Sequence, residues 1–378
     1  MNNRIPVYKP SISSLSIENV NDALTTNWIS WRGNYVNEAI ARLRKLCGVE
    51  HIVLTCNGTA ATHCIFRALR FKHPECHKIY VPNHSYIAVW NTALQEYRAD
   101  EIEALDADII TFNTDFSQID ALEKGACVLI VHHFSGIVDV PALQEQRPDL
   151  IFIEDNCEGF LGQYSNGHPS GSASLCSSIS FFANKTMTSG EGGAFCTNDP
   201  DVYEYIYKYC HQGVTKQQYV HDMFATNYRM TNIQAAIICG QLDGVEKTME
   251  KKKALFMWYK NTYKKMCQDA SITKDNVFFQ EDNSMSSYWM CACVIHHPGH
   301  TGYTQVEKAF NDQGIETRPF FYPITKHPHM YAVSSPRNNC AKYLSRRGLV
   351  LPSYPELMDD VNARQLIMDT LISYIRNL

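Results

Sequence analysis

No stretch of the 378-residue sequence is apolar enough to cross a bilayer. Its longest apolar runs, CVLIV at 127–131 and AAIIC at 235–239, fall far short of the ~20 residues a spanning helix needs. The opening MNNRIPVYKP lacks the apolar core of a secretory leader. Charge of one sign is also missing: 34 Lys and Arg face 39 Asp and Glu, a net of −5, with no basic stripe or polybasic helix. Neither nucleic acid nor a membrane surface is therefore an expected partner. Fourteen cysteines are present, yet no two stand in a C-x-x-C pair, so zinc knuckles are not expected. Without a leader, a disulfide framework is not expected either, and free thiols in a reducing cytoplasm are the reading. The cluster HHPGH at 296–300 has no helical H-x-x-x-H frame and reads as surface polar residues rather than metal ligands. No G-x-G-x-x-G follows the first strand candidate, which argues against a nicotinamide dehydrogenase. Low-complexity tracts, repeats and linkers are absent, so any domains are interleaved rather than tethered.

What is present is an alternation of strand and helix patterns from residue 35 to about 240. Val36, Ile40, Leu43 and Leu46 keep helical spacing, and HIVLT (51–55), KIYVP (78–82), CVLIVHHF (127–134) and LIFIED (150–155) read as strands. Such continuous apolar runs suit a mostly parallel sheet covered by helices on both faces. From 231 to 266 one or two long helices are predicted, interrupted near Gly244. Beyond them lie the strand-like SYWMCACVI (287–295), with Cys291 and Cys293 on one face, the helix TQVEKAFNDQG, and a terminal helix over roughly 360–377. The layout predicts a large α/β domain over 1–245 and a smaller α+β domain over 246–378.

Ligands of open α/β sheets bind at the carboxyl ends of the strands, where three features stand. Asn57-Gly58-Thr59 follows HIVLT and opens a helix, offering N–H groups and a positive dipole end to a phosphate; an ordinary N-cap is the alternative. Asp155 ends LIFIED, with Glu158 three residues on, and a loop or helix cap is the plain alternative. Lys185, in SISFFANKTMTSGEGGAF (178–195), follows Ile179, Phe181 and Phe182, which read as a buried strand, and leads into Gly190, Gly192 and Gly193. A desolvated lysine amine is suited to Schiff-base chemistry; a lysine snorkelling to solvent is the alternative. Taken together, a phosphate cradle, an acid and a lysine are the parts that hold pyridoxal 5'-phosphate (PLP).

At CNGTAATH, VPNHSYIAVWN, IEDNCEGFLG, SFFANKTMTSGEGG, NYRMTNIQAAI and ETRPFFYP, the sequence resembles the DegT/DnrJ/EryC1/StrS sugar aminotransferases, from about IPVYKPSIS to LPSYPEL. The resemblance implies the aspartate-aminotransferase-like fold (PLP fold type I). It implies Lys185 as the lysine joined to the cofactor aldehyde, Asp155 against the pyridine nitrogen, and Glu158 at the ring hydroxyl. Gly58, Thr59 and Ser180 would hold the phosphate and Tyr86 would stack on the ring, with core packing as the other reading of Tyr86. Asn227 would reach the neighbouring subunit's cofactor, which implies a homodimer with shared active sites. Arg229 and Arg318 match anion or substrate contacts, or else structural ion pairs. No metal is implied. Two departures are Thr325, where the family often has histidine, and EDNCEG in place of EDAAEA. The implied reaction passes the amino group of L-glutamate to a keto sugar on a nucleotide. NWISWRGNYV and ETRPFFYP look most like the perosamine and viosamine synthase branch, which aminates C4 of 4-keto-6-deoxyhexoses. A C3 aminotransferase is the nearest alternative and a non-catalytic PLP-binding regulator a more distant one. A sugar dehydratase of the family would carry histidine at the position of Lys185.

Overall fold

Aliphatic and β-branched runs build a seven-stranded sheet in the computed structural model, which describes residues 4–217, 219–270, 272–281 and 285–378. In chain order its strands are β1 (His51–Thr55), β2 (Ile79–Pro82), β3 (Ile102–Leu105), β4 (Cys127–Val131), β5 (Ile151–Asp155), β6 (Ser177–Ser180) and β7 (Gly193–Thr197). The spatial order is β1-β7-β6-β5-β4-β2-β3. Only β7 runs against its neighbours, so the carboxyl ends of the other six strands share one edge.

Helices cover both faces: α1 (Ser14–Thr25), α2 (Asn34–Cys47), α3 (Gly58–Lys72), α4 (Ile87–Glu96), α5 (Val140–Gln146), α6 (Pro200–Cys210) and α7 (Asn232–Leu242). Side chains alternate even in these doubly buried strands. Cys127, Leu129, Val131 and Ile153 pack with α3, α4 and α6 residues such as Phe66, Trp90 and Ile206. Val128, Ile130 and Phe152 face the other way, and Ile52, Leu54 and Ile179 pack with Leu43 of α2 and Ile238 of α7. The same alternation decides the end of β5. Asp155 falls on the face of Ile153, toward α3, while Glu154 falls on the opposite face.

A second, antiparallel sheet has the order β10-β11-β9-β8, from β8 (Val277–Phe279), β9 (Cys291–Ile295), β10 (Arg318–Pro319) and β11 (Gly348–Leu351). It packs with α8 (Val245–Ala270), α9 (Tyr303–Asp312), α10 (Asn339–Arg347) and α11 (Val361–Arg376). Gly244 does separate two helices, α7 and α8. Cys291 and Cys293 share one face and Ala292 and Val294 the other, as the alternation predicts. The N-terminal segment, expected with the first 245 residues, pairs instead with the later ones: Ile5 bridges Ile315, and the Val7 amide donates to Glu316 Oε2 at 3.1 Å. His300 corrects the surface reading of HHPGH, because it is buried and its Nδ1 lies 2.6 Å from the Tyr374 hydroxyl. Burial there pushes its pKa down to about 4. Among the described residues no helix is long and apolar enough to cross a membrane, and no group of three or more His, Cys, Asp or Glu is placed to hold a metal.

Candidate active site

The amino end of α3 abuts the carboxyl ends of β1 and β6. Asn57 caps the helix, its side chain accepting from the Ala60 amide, while the Asn57 carbonyl takes the Ala61 amide at 3.3 Å. A helix leaves its first amides without partners inside the helix, and here those of Gly58 and Thr59 remain for an outside acceptor. Thr59 is exposed, so its hydroxyl is available beside them. Glycine is required at 58 by a close approach: a Cβ there would lie 2.6 Å from Ser180 Cβ and 2.7 Å from its Oγ. Gly58 and Thr59 thus stand against the distant Ser180 at a positive dipole end, an arrangement suited to an anion. Gly58→Ala is expected to push Ser180 away and weaken cofactor binding about tenfold or more. Absorbance titration of the cofactor-free variant with PLP measures this, and unchanged affinity contradicts the cradle.

One turn further along α3, Thr62 reaches Asp155. The Thr62 hydroxyl lies 3.3 Å from Asp155 Oδ2, 3.2 Å from Ser178 Oγ and 3.1 Å from the Gly58 carbonyl. Asp155 Oδ1 accepts from the Cys157 amide at 3.0 Å. So the loop-capping role is real, and together with Thr62 it fixes the orientation of the carboxylate. Asp155 is buried with no cation bonded to it among the described residues, which suits a cationic ring nitrogen as its partner.

Glu158 closes the next side of the site. Its Oε2 accepts from the Phe134 amide at 2.8 Å and stands 4.0 Å from His133 Nδ1. Burial pushes its carboxyl up from 4.5 to about 7, against the pull of Lys185 and the Phe134 N–H, with Asp155 adding to the rise. The folded pKa is the higher one, so between pH 4.5 and 7 the unfolded chain sheds this proton first. Stability therefore falls as pH rises through that window, by about 3 kcal/mol at most for this group. Glu158→Gln should flatten the fall in denaturation curves of the cofactor-free protein taken from pH 4.5 to 7; an unaltered slope would assign it elsewhere.

Lys185 corrects the sequence reading in its placement. Strand β6 ends at Ser180, Phe182 is exposed, and Lys185 lies in a turn closed by its own amide on the Phe182 carbonyl at 2.9 Å. Its side chain is half-buried, with Nζ 3.9 Å from the centre of the Trp289 ring. Lys185 opposes the rise that burial imposes on the pKa values of Glu158 and Cys157. Gly190 and Gly192 adopt positive φ, 81° and 142°, and lead the chain from the turn into β7. Tyr86 is 57% exposed at the N-cap of α4, and its ring stands 6.1 Å from that of Phe321. Core packing is thus not its role, and its ring is free to cover a ligand.

The remaining candidates lie apart from this cluster. Asn227 is exposed and bridges His211. Arg229 pairs by its backbone with Thr55, and its guanidinium stands over Trp31 at 5.3 Å and donates to Gln212 at 3.3 Å. Burial and Arg32 lower its pKa, and no carboxylate partners it among the described residues. Arg318 instead ion-pairs with Glu316, the structural alternative.

Sequence reasoning passed over two buried polar groupings next to these residues. His84 and His133 are buried with rings 5.2 Å apart, among Phe134, Phe320 and Phe321, and none of their four ring nitrogens has a hydrogen-bond partner among the described residues. Burial lowers the pKa of both, that of His84 to about 3. Glu154, beside Asp155 in sequence, is a structural acid bonded by His132 Nε2 at 2.9 Å and the Tyr164 hydroxyl at 2.6 Å. His84 follows β2, and His132 and His133 follow β4; that position was their one signal.

A dianionic phosphate, a ring nitrogen wanting a carboxylate, a ring hydroxyl and an aldehyde wanting an amine fit the cradle, Asp155, Glu158 and Lys185 respectively, so the residues present fit PLP. The sequence model of the DegT/DnrJ/EryC1/StrS aminotransferase family matches residues 10–369. GDP-perosamine synthase of Escherichia coli O157:H7 is 32% identical over 361 residues, 94% of this chain and 95% of its own. The enzyme of that name from Vibrio cholerae is 29% identical, with the same coverage. Among solved structures, Helicobacter pylori PseC, an aminotransferase of pseudoaminic acid biosynthesis, shares the fold at a TM-score of 0.88 and 20% identity, covering 100% of both chains. Escherichia coli GDP-4-keto-6-deoxy-D-mannose-3-dehydratase, with bound hydrated PLP, shares it at 0.87 and 20% identity, over 97% of this chain and 100% of its own. The chain belongs to the DegT/DnrJ/EryC1/StrS aminotransferase family and is a PLP-dependent nucleotide-sugar aminotransferase with the fold type I architecture.

Proposed function

We propose that this enzyme moves the amino group of L-glutamate to C4 of a nucleotide-linked 4-keto-6-deoxyhexose, giving a 4-amino-4,6-dideoxyhexose of the perosamine or viosamine type. The observation that carries the reading is near-full-length similarity to GDP-perosamine synthases, with 32% identity to one of them. Glutamate as donor has support from a solved relative of the fold that holds a PLP–glutamate adduct.

When bound, the cofactor supplies an aldehyde for the amino group and an electron-withdrawing ring. The chain's residues do the rest. Gly58, Thr59 and Ser180 anchor the phosphate. The Asp155 carboxylate, held by Thr62 and the Cys157 amide, keeps a proton on the ring nitrogen and so sustains its electron demand. Glu158 bonds the ring hydroxyl, and Tyr86 covers the ring face against water. The Lys185 amine takes the proton from the α-carbon of glutamate and delivers one at C4 of the sugar. Asn227 contributes to the partner's phosphate site in a homodimer, and Arg229 and Arg318 bind anionic groups of the substrates. For Arg318 this requires release from Glu316.

Incubation with glutamate and a panel of GDP-, dTDP- and UDP-linked 4-keto-6-deoxyhexoses, with the 3-keto isomers beside them, tests the proposal. The expected products gain an amine at C4 by mass and NMR, with release of 2-oxoglutarate. Amination only at C3 of a 3-keto sugar would favour the neighbouring reading, and no 2-oxoglutarate would favour a non-catalytic regulator.

A further inference from the structure

Lys252, on α8, is fully buried at 0% exposure. An ammonium group in such a place is costly unless bonded, and no carboxylate bonds it among the described residues. Its Nζ donates instead to two backbone carbonyls, Trp289 at 3.0 Å and Ser353 at 2.7 Å. It also lies 5.0 Å from the centre of the Tyr8 ring. Those two aromatic neighbours converge again on one turn. Trp289 Nε1 donates to the Asn184 carbonyl at 2.9 Å, and the Tyr8 hydroxyl donates to the Lys185 carbonyl at 3.0 Å. The consecutive carbonyls of Asn184 and Lys185 are therefore held by two residues that both meet Lys252, Trp289 through its backbone carbonyl and Tyr8 through its ring. The indole does a third thing, facing the Lys185 amine at 3.9 Å.

We propose that Lys252 is a positioning residue for the reaction, fixing the Lys185 turn through Trp289 and Tyr8. The proposal rests on the reading of Lys185 given above. A methionine would fill similar volume without the desolvation cost, yet it could not hold two carbonyls, and each buried carbonyl left bare is penalised. The arrangement ties α8, the residue two before β9, the residue two after β11 and the N-terminal segment to the turn that carries the amine. Burial pushes the Lys252 pKa down to about 7, with Cys291 and Glu356 opposing. Even the neutral amine retains two N–H donors for the two carbonyls, so the hold on Trp289 and Ser353 does not depend on the charge.

The test is a double-variant cycle on the holoenzyme with Lys252→Met and Tyr8→Phe. Each single variant is expected to lower kcat about tenfold, with KM for glutamate changed less than about twofold, and to move the pH midpoint of the visible absorption of the bound cofactor. A purely structural role would lower thermal stability without moving that midpoint. Because both act on one turn, the double variant should be no more than about twofold slower than the slower single. If Lys252→Met cannot be isolated folded, Lys252→Gln enters the same cycle and the same non-additivity is expected. Fully additive effects, or an unmoved midpoint in the Lys252 variant, overturn the proposal. Borohydride labelling of Lys185 in the unaltered enzyme keeps the two failures apart. Absence of the label refutes the Lys185 reading, whereas a label with an unmoved midpoint refutes only the role of Lys252.

Discussion

Replacing Lys185 by alanine is expected to abolish transamination while leaving a folded protein that still takes up PLP without a covalent link. The two effects separate because they draw on different contacts. For stability, alanine removes the half-buried methylene stem and the ammonium group over the Trp289 ring, the latter worth about 0.5–1 kcal/mol at a half-exposed site. The backbone bonds of the turn, including the Tyr8 hydroxyl on the Lys185 carbonyl, survive. For rate, the loss of the proton-transferring amine should cost about a thousandfold or more, near 4 kcal/mol of barrier. Paired measurements of melting temperature and of 2-oxoglutarate release check both halves. Retained turnover would contradict the assignment, and a large fall in stability would mean that the side chain was mainly structural.

Asp155→Asn carries the second large effect. Asparagine keeps the size of the side chain and an acceptor oxygen for the Cys157 amide, so the loop beyond β5 should hold. What it loses is the negative charge that keeps a proton on the ring nitrogen. An electrostatic contribution of this kind is worth about 3 kcal/mol in a water-poor site, so kcat should fall on the order of a hundredfold. Binding of PLP through the cradle should change far less, because Gly58, Thr59 and Ser180 are untouched. A near-normal rate would show that another group serves the ring nitrogen; equal losses in rate and cofactor affinity would place Asp155 in binding rather than electronics.

Much of this site could be seen in the sequence because its parts sit at strand ends. Gly58 after β1 and Asp155 at the end of β5 are each announced by a run of apolar residues that gives way to polar ones, whereas Ser180, in the serine-rich β6, was marked by the family resemblance alone. The break at Gly244 and the alternation through Cys291–Ile295 were visible for the same local reason. Residues whose role depends on distant partners were harder to read. Lys185 looked like part of a strand because Phe181 and Phe182 continue the apolar run, yet β6 stops after four residues and the chain turns. Thr62 orients Asp155 across 93 positions of sequence, and nothing local marks it. His84 and His133 meet only because β2 and β4 are neighbours in the sheet. Lys252 looks like one more charge in the helical run EKKK, and only the packing of α8 shows that it is the buried one. The segment at Tyr8 precedes every strand, and its place against later residues follows from long-range pairing that local patterning does not encode.

Reduction of freshly prepared holoenzyme with borohydride, followed by peptide mapping, examines the central claim most directly. The account predicts a single pyridoxyl group on the peptide that contains Lys185. A pyridoxyl group on a different lysine, or none on any peptide, would contradict it.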